Sequence, residues 1–338
     1  MAEISVIVPV YNTSDYVKRC LESIFDQTFQ DIEIIAVDDG STDGSGAILD
    51  RYQSRYPMLR VFHTENNGVS QARNYALNYA SGRYILFVDS DDYMDSEMLA
   101  QLYHKIEQTG ADICVCDFVT AYPDGECRPS TLCLPDLDLL ELSESGRRSF
   151  VADSFRQKIY VGGSVVNKLI RKSLLDDTGV RFVDRKVIHA EDMHFYFMLL
   201  LHVKRIAFLN RPLYYYYQRA GSAMHSYTKN MPKAVQSFIE SLRSAYAPYD
   251  VNGDLAAAIN DLALTFFFDV LYNELRREAS YPTFYPVITH AFFQACMKQL
   301  SPRGLRGKRK IFYYLYRLRL YRLIHRILLR YVKPFEHL

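Results

Sequence analysis

Apolar residues along the first 120 positions recur in two alternating rhythms. Short β-rich runs at Ile4–Val10, Ile32–Val37, Leu59–His63, Tyr84–Val88 and Asp112–Phe118 predict strands. The stretches between them carry helical spacing. From Tyr16 to Thr28, positions 17, 21, 24, 25 and 28 share one face, and further helices are predicted from about Asp43 to Tyr56, Ser70 to Ala80 and Asp95 to Gln108. Alternation of this kind predicts an α/β fold, a Rossmann-like, mostly parallel sheet flanked by helices, with ligands bound beyond the carboxyl ends of the strands.

Beyond residue 120 the rhythm changes. Residues 122–148, rich in Pro, Asp, Glu, Ser and Gly, predict a long loop or flap. Val151–Asn167 and Leu169–Asp176 fit several arrangements, Ala190–Leu201 predicts a helix and Arg205–Leu209 an extended segment. Residues 233–300 predict helices separated at Pro248, Gly253 and Pro282. The pattern divides the chain into an α/β domain (1–225), a helical C-terminal region (226–302) and a basic amphipathic tail (303–338). In the tail, 11 Lys and Arg lie among Tyr, Leu and Ile between 303 and 333, without an acid. Arg319, Arg322, Arg326 and Arg330 recur at helical steps beside an apolar stripe of Tyr313, Tyr316, Leu320, Leu323, Ile327 and Tyr331. One basic amphipathic helix is expected, suited to an anionic membrane surface, with a helix docked on the protein as the alternative.

Net charge adds little to this picture. Lys and Arg (40) nearly balance Asp and Glu (39), which argues against nucleic acid as a partner. The six cysteines lack CxxC spacing and read as reduced thiols, Cys114 and Cys116 as core residues on one face of a strand. Met-Ala-Glu enters the first strand at once, which predicts no secretory leader, and no segment is expected to cross a bilayer, because Asp269 and Asn273 interrupt the region around Phe266-Phe267-Phe268. A cytoplasmic protein, peripheral on the inner face of the cell membrane, is expected.

The candidate chemistry collects at the strand ends. Tyr11-Asn12 follows the first strand, Asp38-Asp39-Gly40-Ser41 the second, Asn66-Asn67-Gly68 the third and Asp89-Ser90-Asp91-Asp92 the fourth. Carboxylates two apart on a turn, as Asp89 and Asp91 are, can hold Mn2+ or Mg2+ through hard oxygens and leave positions for a diphosphate. Asp92 reads as a cap for the helix near Asp95. Asp39 has two readings, part of a turn in which Ser41 or Asp43 caps the next helix, or acceptor of a uracil imide N–H. Arg73 offers forked donors to phosphate or carboxylate.

Val8-Pro9-Val10-Tyr11-Asn12, Val37-Asp38-Asp39-Gly40-Ser41-Thr42-Asp43, Gly68-Val69-Ser70-Gln71-Ala72-Arg73-Asn74 and Asp89-Ser90-Asp91-Asp92 occur in order. This set closely resembles the family-2 inverting glycosyltransferases of GT-A fold, strongly over residues 3–118 and more thinly at Asn167-Lys168-Leu169 and Glu191-Asp192. The resemblance implies a metal-dependent hexosyltransferase that moves one sugar from a UDP-sugar to a hydroxyl of a saccharide or lipid-linked acceptor in cell-surface polysaccharide synthesis. It further implies that Pro9 and Tyr11 border the nucleoside, Asp39 reads the base, Arg73 helps hold the donor, and Asp89 and Asp91 serve ribose, diphosphate and metal, Asp91 being the direct ligand. Asn67 and Lys168 are carried over as substrate-binding. Asp192 is implied as the base and Glu191 as its neighbour or an acceptor contact, with exchange of the two roles open. The segment from Tyr214 to His225 resembles a family stretch that would bring Arg219, Ser222 and His225 towards the diphosphate, His225 as a further metal ligand.

Rival readings fit less well. The first strand leads to no close-set glycines for a dinucleotide, and neither a P-loop nor a Gly-rich basic triphosphate loop occurs. The remaining alternative is a catalytically inactive, membrane-associated scaffold of a polysaccharide assembly complex.

Overall fold

The computed structural model describes residues 2–130, 134–156, 163–219 and 227–332, which form two compact units. The first comprises residues 1–150, 159–185 and 190–219, and the second residues 151–158, 186–189 and 220–338.

In the first unit, β1 (Ile4–Val10), α1 (Val17–Phe25), β2 (Ile32–Asp38), α2 (Ser45–Gln53), β3 (Leu59–His63), α3 (Val69–Leu77) and β4 (Tyr84–Phe87) alternate as the pattern predicted. β5 (Tyr93–Met94), α4 (Met98–Thr109) and β6 (Ile113–Ala121) follow. β1 pairs in parallel with β2 and β4, and β2 with β3. The sheet then changes character. β9 (Lys168–Arg171) lies antiparallel between β4 and β6, and β10 (Arg205–Tyr217) runs parallel to β6. The result is a mixed sheet of order β3-β2-β1-β4-β9-β6-β10-β5, parallel through its N-terminal half.

Alternate side chains along each strand face opposite ways, and both faces are covered. Ile4, Val6, Val8 and Val10 of β1 join Leu21 and Ile24 of α1, Leu49 of α2 and Leu102 and Ile106 of α4 in one core. On the other face α3 packs on β1 and β2, and Phe87 of β4 meets the rings of Phe182 and Phe195 at 5.2 and 6.1 Å. Cys114 and Cys116 are buried in β6, where desolvation raises both thiols and keeps them unreactive.

Two sequence expectations needed correction here. Among the described residues, 122–148 hold two short strands, β7 (Cys127–Pro129) on β6 and β8 (Leu139–Glu141) on β10, and the start of α5 (Glu144–Phe155). Each strand is three residues long, too short to show a period against a polar background. β10 does not stop at Leu209: it passes through Pro212 at a register shift, where the missing N–H costs no ladder bond. α6 (Lys172–Thr178) and α7 (Glu191–Leu200) complete the unit.

The second unit is helical, with α8 (Met231–Tyr246), α9 (Asp254–Arg277), α10 (Tyr281–Ile288), α11 (Ala291–Gln299), α12 (Gly307–Arg317) and α13 (Tyr321–Leu329). α9 is its centre. By length and composition it is apolar enough to cross a bilayer, contrary to expectation, but most of it is buried and α8, α10 and α11 pack on it. Phe267 stacks on Phe293 at 4.3 Å and meets Phe312 and Tyr316 edge-on.

The tail forms two helices instead of one. Arg319, at φ +57°, turns the chain between α12 and α13. Consequently Phe312, Tyr313 and Tyr316 of α12, with Ile324, His325 and Leu328 of α13, point into the unit. Leu320, Leu323 and Tyr331, expected on the same stripe as Tyr313 and Tyr316, are exposed.

Candidate active site

Four loops meet at the carboxyl ends of β1 to β4, and the acidic and hydroxyl groups of their motifs bind one another. After β1, the Asn12 N–H donates to Ser41 Oγ (3.0 Å), and Asn12 Oδ1 accepts from the Thr42 N–H (2.8 Å). Asp43 accepts from the N–H groups of Ser14 (2.8 Å) and Ser45 (2.9 Å). Gly44 holds the cap position of α2 without a side chain, and Asp43, through the Ser45 N–H, satisfies that helix end from one residue earlier, while Ser41 braces the first loop. Tyr11 stands at the mouth, 48% exposed, whereas Pro9 is buried within β1.

Asp39 is buried, and its two oxygens accept from the N–H groups of Asn67 (2.9 Å) and Gly68 (2.8 Å). It thus fixes the entry to α3, where Gly68 adopts φ +90°, a conformation costly for other residues. Asn67 is exposed there, and its side-chain amide donates to the Glu65 carbonyl at 3.0 Å. Asp38 is spent differently, accepting from the Ser41 N–H (3.0 Å) and bonding His63 Nδ1 (2.9 Å).

The acidic run divides into distinct roles. Asp92 is fully buried, and its oxygens accept from the Tyr214 hydroxyl (2.6 Å) and the Tyr217 N–H (2.8 Å). It is therefore not a helix cap but the anchor of β10. Ser90 is buried against Thr13 Oγ1 at 2.9 Å. Asp89 and Asp91 keep side chains 31% and 22% exposed. Desolvation, with Asp89 nearby, raises the Asp91 carboxyl, against the pull of Arg219.

Arg73 connects this run to the C-terminal part of the unit. Its guanidinium, 3% exposed, donates from Nη2 to Asp89 (2.7 Å) and from Nη1 to Asp192 in a very close contact, with Glu191 at 3.9 Å. Glu191 and Asp192 occupy the first turn of α7, where the helix dipole favours negative charge. Burial nonetheless pushes the Asp192 carboxyl up from the ordinary carboxylate range; Arg73 pulls it down, and Glu191 and Asp89 push it further up.

Arg219 Nε donates to Asp91 Oδ2 at 2.5 Å, so this arginine lies on the carboxylate expected to bind metal. Lys168 is not at the surface of the site: Nζ is wholly buried, donates to the Ser164 carbonyl (2.5 Å) and Asn167 Oδ1 (2.8 Å), and lies 4.8 Å from the Tyr196 ring centre. Ser222 and His225 fall outside the described residues.

Several participants escaped sequence reading. Arg19 donates to the Asp91 carbonyl (3.0 Å) with its guanidinium 3.9 Å from the Tyr217 ring and 4.5 Å from that of Tyr93. The Tyr214 hydroxyl also accepts from the Asp89 N–H at 3.3 Å. No local signal marks Arg19, which lies on an ordinary amphipathic helix; the tyrosine run was visible but read only as a route to Arg219.

Among the described residues no group of three or more His, Cys, Asp or Glu could hold a metal ion. The partly exposed carboxylate oxygens of Asp91 and Asp89 do fit a hard cation that takes most of its shell from water and phosphate oxygens, the habit of Mg2+ and, with similar ligands, Mn2+.

The family model described as "Glycosyl transferase family 2" matches residues 5–179. Glycosyltransferase GlyG of Streptococcus pneumoniae is 35% identical over 236 residues, covering 66% of this chain and 73% of that protein. The poly(ribitol-phosphate) beta-glucosyltransferase of Bacillus spizizenii is 32% identical, over 74% of this chain and 37% of its own length. Among solved structures, residues 1–349 of Staphylococcus aureus TarS in complex with UDP-GlcNAc superimpose with a TM-score of 0.68 at 26% identity, covering 94% of this chain and 88% of that one. The chain belongs to family 2 of the glycosyltransferases and has the GT-A fold, a mixed, mostly parallel sheet with a helical C-terminal region.

Proposed function

We propose that the chain moves a hexosyl group from a UDP-sugar to a hydroxyl of a saccharide or lipid-linked acceptor in cell-surface polysaccharide synthesis, with inversion at the anomeric carbon. The observation that carries this reading is the buried Arg73, which ties Asp192 on α7 to Asp89 of the acidic turn. A base for the acceptor and a carboxylate on the donor side are thereby held at one guanidinium. UDP-GlcNAc in the TarS complex supports a uridine donor, and the B. spizizenii relative, which acts on poly(ribitol-phosphate), supports a surface-polymer acceptor.

In this reaction the Asp192 carboxylate takes the proton of the acceptor hydroxyl as its oxygen bonds to the anomeric carbon. The bond from that carbon to the diphosphate breaks, and UDP leaves with the electron pair. Tyr11 and Asp39 serve the nucleoside, and Asp39 also holds the Asn67–Gly68 loop. Asp91, with Asp89, would hold Mn2+ or Mg2+, which when bound offsets charge on the departing diphosphate. Arg19 and Arg219 add fixed positive charge around the same turn.

The test is a screen of UDP-sugars for metal-dependent hydrolysis and transfer, with the anomeric configuration of the product read by NMR. Product of inverted configuration is expected; retention of configuration would overturn the mechanism. If titration with UDP and Mn2+ gave no metal-dependent binding, the scaffold role would replace transfer.

A further inference from the structure

The outer face of the C-terminal helical pair carries exposed apolar side chains beside unopposed positive charge. On α12, Lys310, Ile311, Tyr314, Arg317 and Leu318 recur at helical steps, and all are exposed. On α13, Arg322, Leu323, Arg326 and Arg330 repeat the arrangement. Ile311 is 61% exposed, Leu318 68% and Leu323 44%, values far above what a folded helix needs to leave open once Phe312, Tyr316, Ile324 and Leu328 have filled its inner face.

Charge selects the occupant. Residues 303–338 hold 11 Lys and Arg against a single acid, whereas residues 1–302 hold 29 against 38. Among the described residues no carboxylate forms an ion pair with Arg317, Arg319, Arg322, Arg326 or Arg330. A polyanion such as nucleic acid would satisfy the arginines and leave Ile311, Leu318, Leu320 and Leu323 in water. A bilayer with anionic headgroups satisfies both: the leucines enter the acyl boundary, Tyr314 and Tyr331 sit at headgroup level, and the arginines reach the phosphates on long stems.

We propose that the outer face of α12 and α13 is a docking surface for an anionic lipid bilayer, formed by a pair of helices whose inner faces are already committed to the protein. It does not depend on the donor chemistry above. In contrast to a single amphipathic tail that would fold only on the membrane, this surface is built before contact, because Tyr316 donates to the Ile288 carbonyl (3.0 Å) and His325 Nε2 bonds the Ala279 carbonyl (3.0 Å).

The test is flotation of the full chain with vesicles of phosphatidylcholine alone or mixed equally with phosphatidylglycerol. Retention on the mixed vesicles only is expected. Replacing Arg317, Arg319, Arg322, Arg326 and Arg330 by Gln should weaken it by at least ~100-fold, since each basic side chain near such a surface contributes roughly fivefold. The pair Leu318→Asn and Leu323→Asn should weaken it by about tenfold. All seven side chains are exposed, and unchanged UDP binding and circular dichroism would show that the variants fold. Equal retention on neutral vesicles, no flotation at all, or flotation unaffected by either set would overturn the proposal. So would capture of the chain by duplex DNA, undiminished by the leucine pair, without flotation.

Discussion

Arg73 is the residue on which the site turns. Its guanidinium is buried and faces three acids, so removing it leaves those carboxylates repelling one another around a desolvated hole. Arg73→Gln is expected to cost roughly 3 kcal/mol in urea unfolding, at the low end for a broken buried pair because the carboxylates are partly exposed. The same substitution removes the charge that lowers the Asp192 carboxyl, which burial already raises. As a base Asp192 works only when ionised, so the transfer rate should rise with pH along an acid limb set above the ordinary carboxylate range. In Arg73→Gln that limb should move to still higher pH; a limb that stays put would remove Asp192 from the base role. Asp192→Asn should lower transfer by about 100- to 10,000-fold, the range for a general base, while UDP affinity measured calorimetrically is retained. At Asp91, Arg219 and a metal seek the same oxygen. Arg219→Gln should therefore bind Mn2+ more tightly than the parent when no donor is present, read by titration calorimetry.

The acidic turn between β4 and β5 shows how elements reassign residues of identical type. Asp91 lies at a partly open surface in an ion pair, and such pairs contribute about 1 kcal/mol or less. Asp92, next in sequence, is fully buried and satisfies Tyr214 and Tyr217 of β10. Asp92→Ala strands a hydroxyl and an amide and should cost about 2–4 kcal/mol, well above Asp91→Ala, in thermal or urea unfolding. Equal costs would contradict the anchoring role. Asp91 and Asp92 could not be told apart by type or spacing, because the partner strand of Asp92 lies more than 120 residues away. Lys168 is likewise placed by its partners in the fold. A lysine beside Asn167 at a family landmark read as a substrate contact, yet burial under Tyr196 lowers its ammonium to about 7 and turns it to Ser164 and Asn167.

Across the whole molecule, a net charge of +1 conceals a basic end and an acidic remainder. Docking through that end should weaken as salt shortens the Debye length from ~10 Å at 0.1 M to ~3 Å at 1 M, while UDP binding persists. Most of the first 120 residues were legible from periodicity, since β1, β2 and β4 are almost wholly buried and the helices bury one face; the five predicted strands begin within a residue of those observed, and the two-residue β5 was too short to show a period. The sequence by itself determined the alternating elements, the four polar strand ends and the family they define. Only the tertiary structure decided that β9 and β10 join the sheet, that Arg73 links Asp89 to Asp192, that Asp92 anchors a strand and that the tail folds back as two helices. Periodicity records which face of an element is buried. It carries no record of which distant partner buries it, and those pairings assigned the roles of the carboxylates and the outward face of the tail.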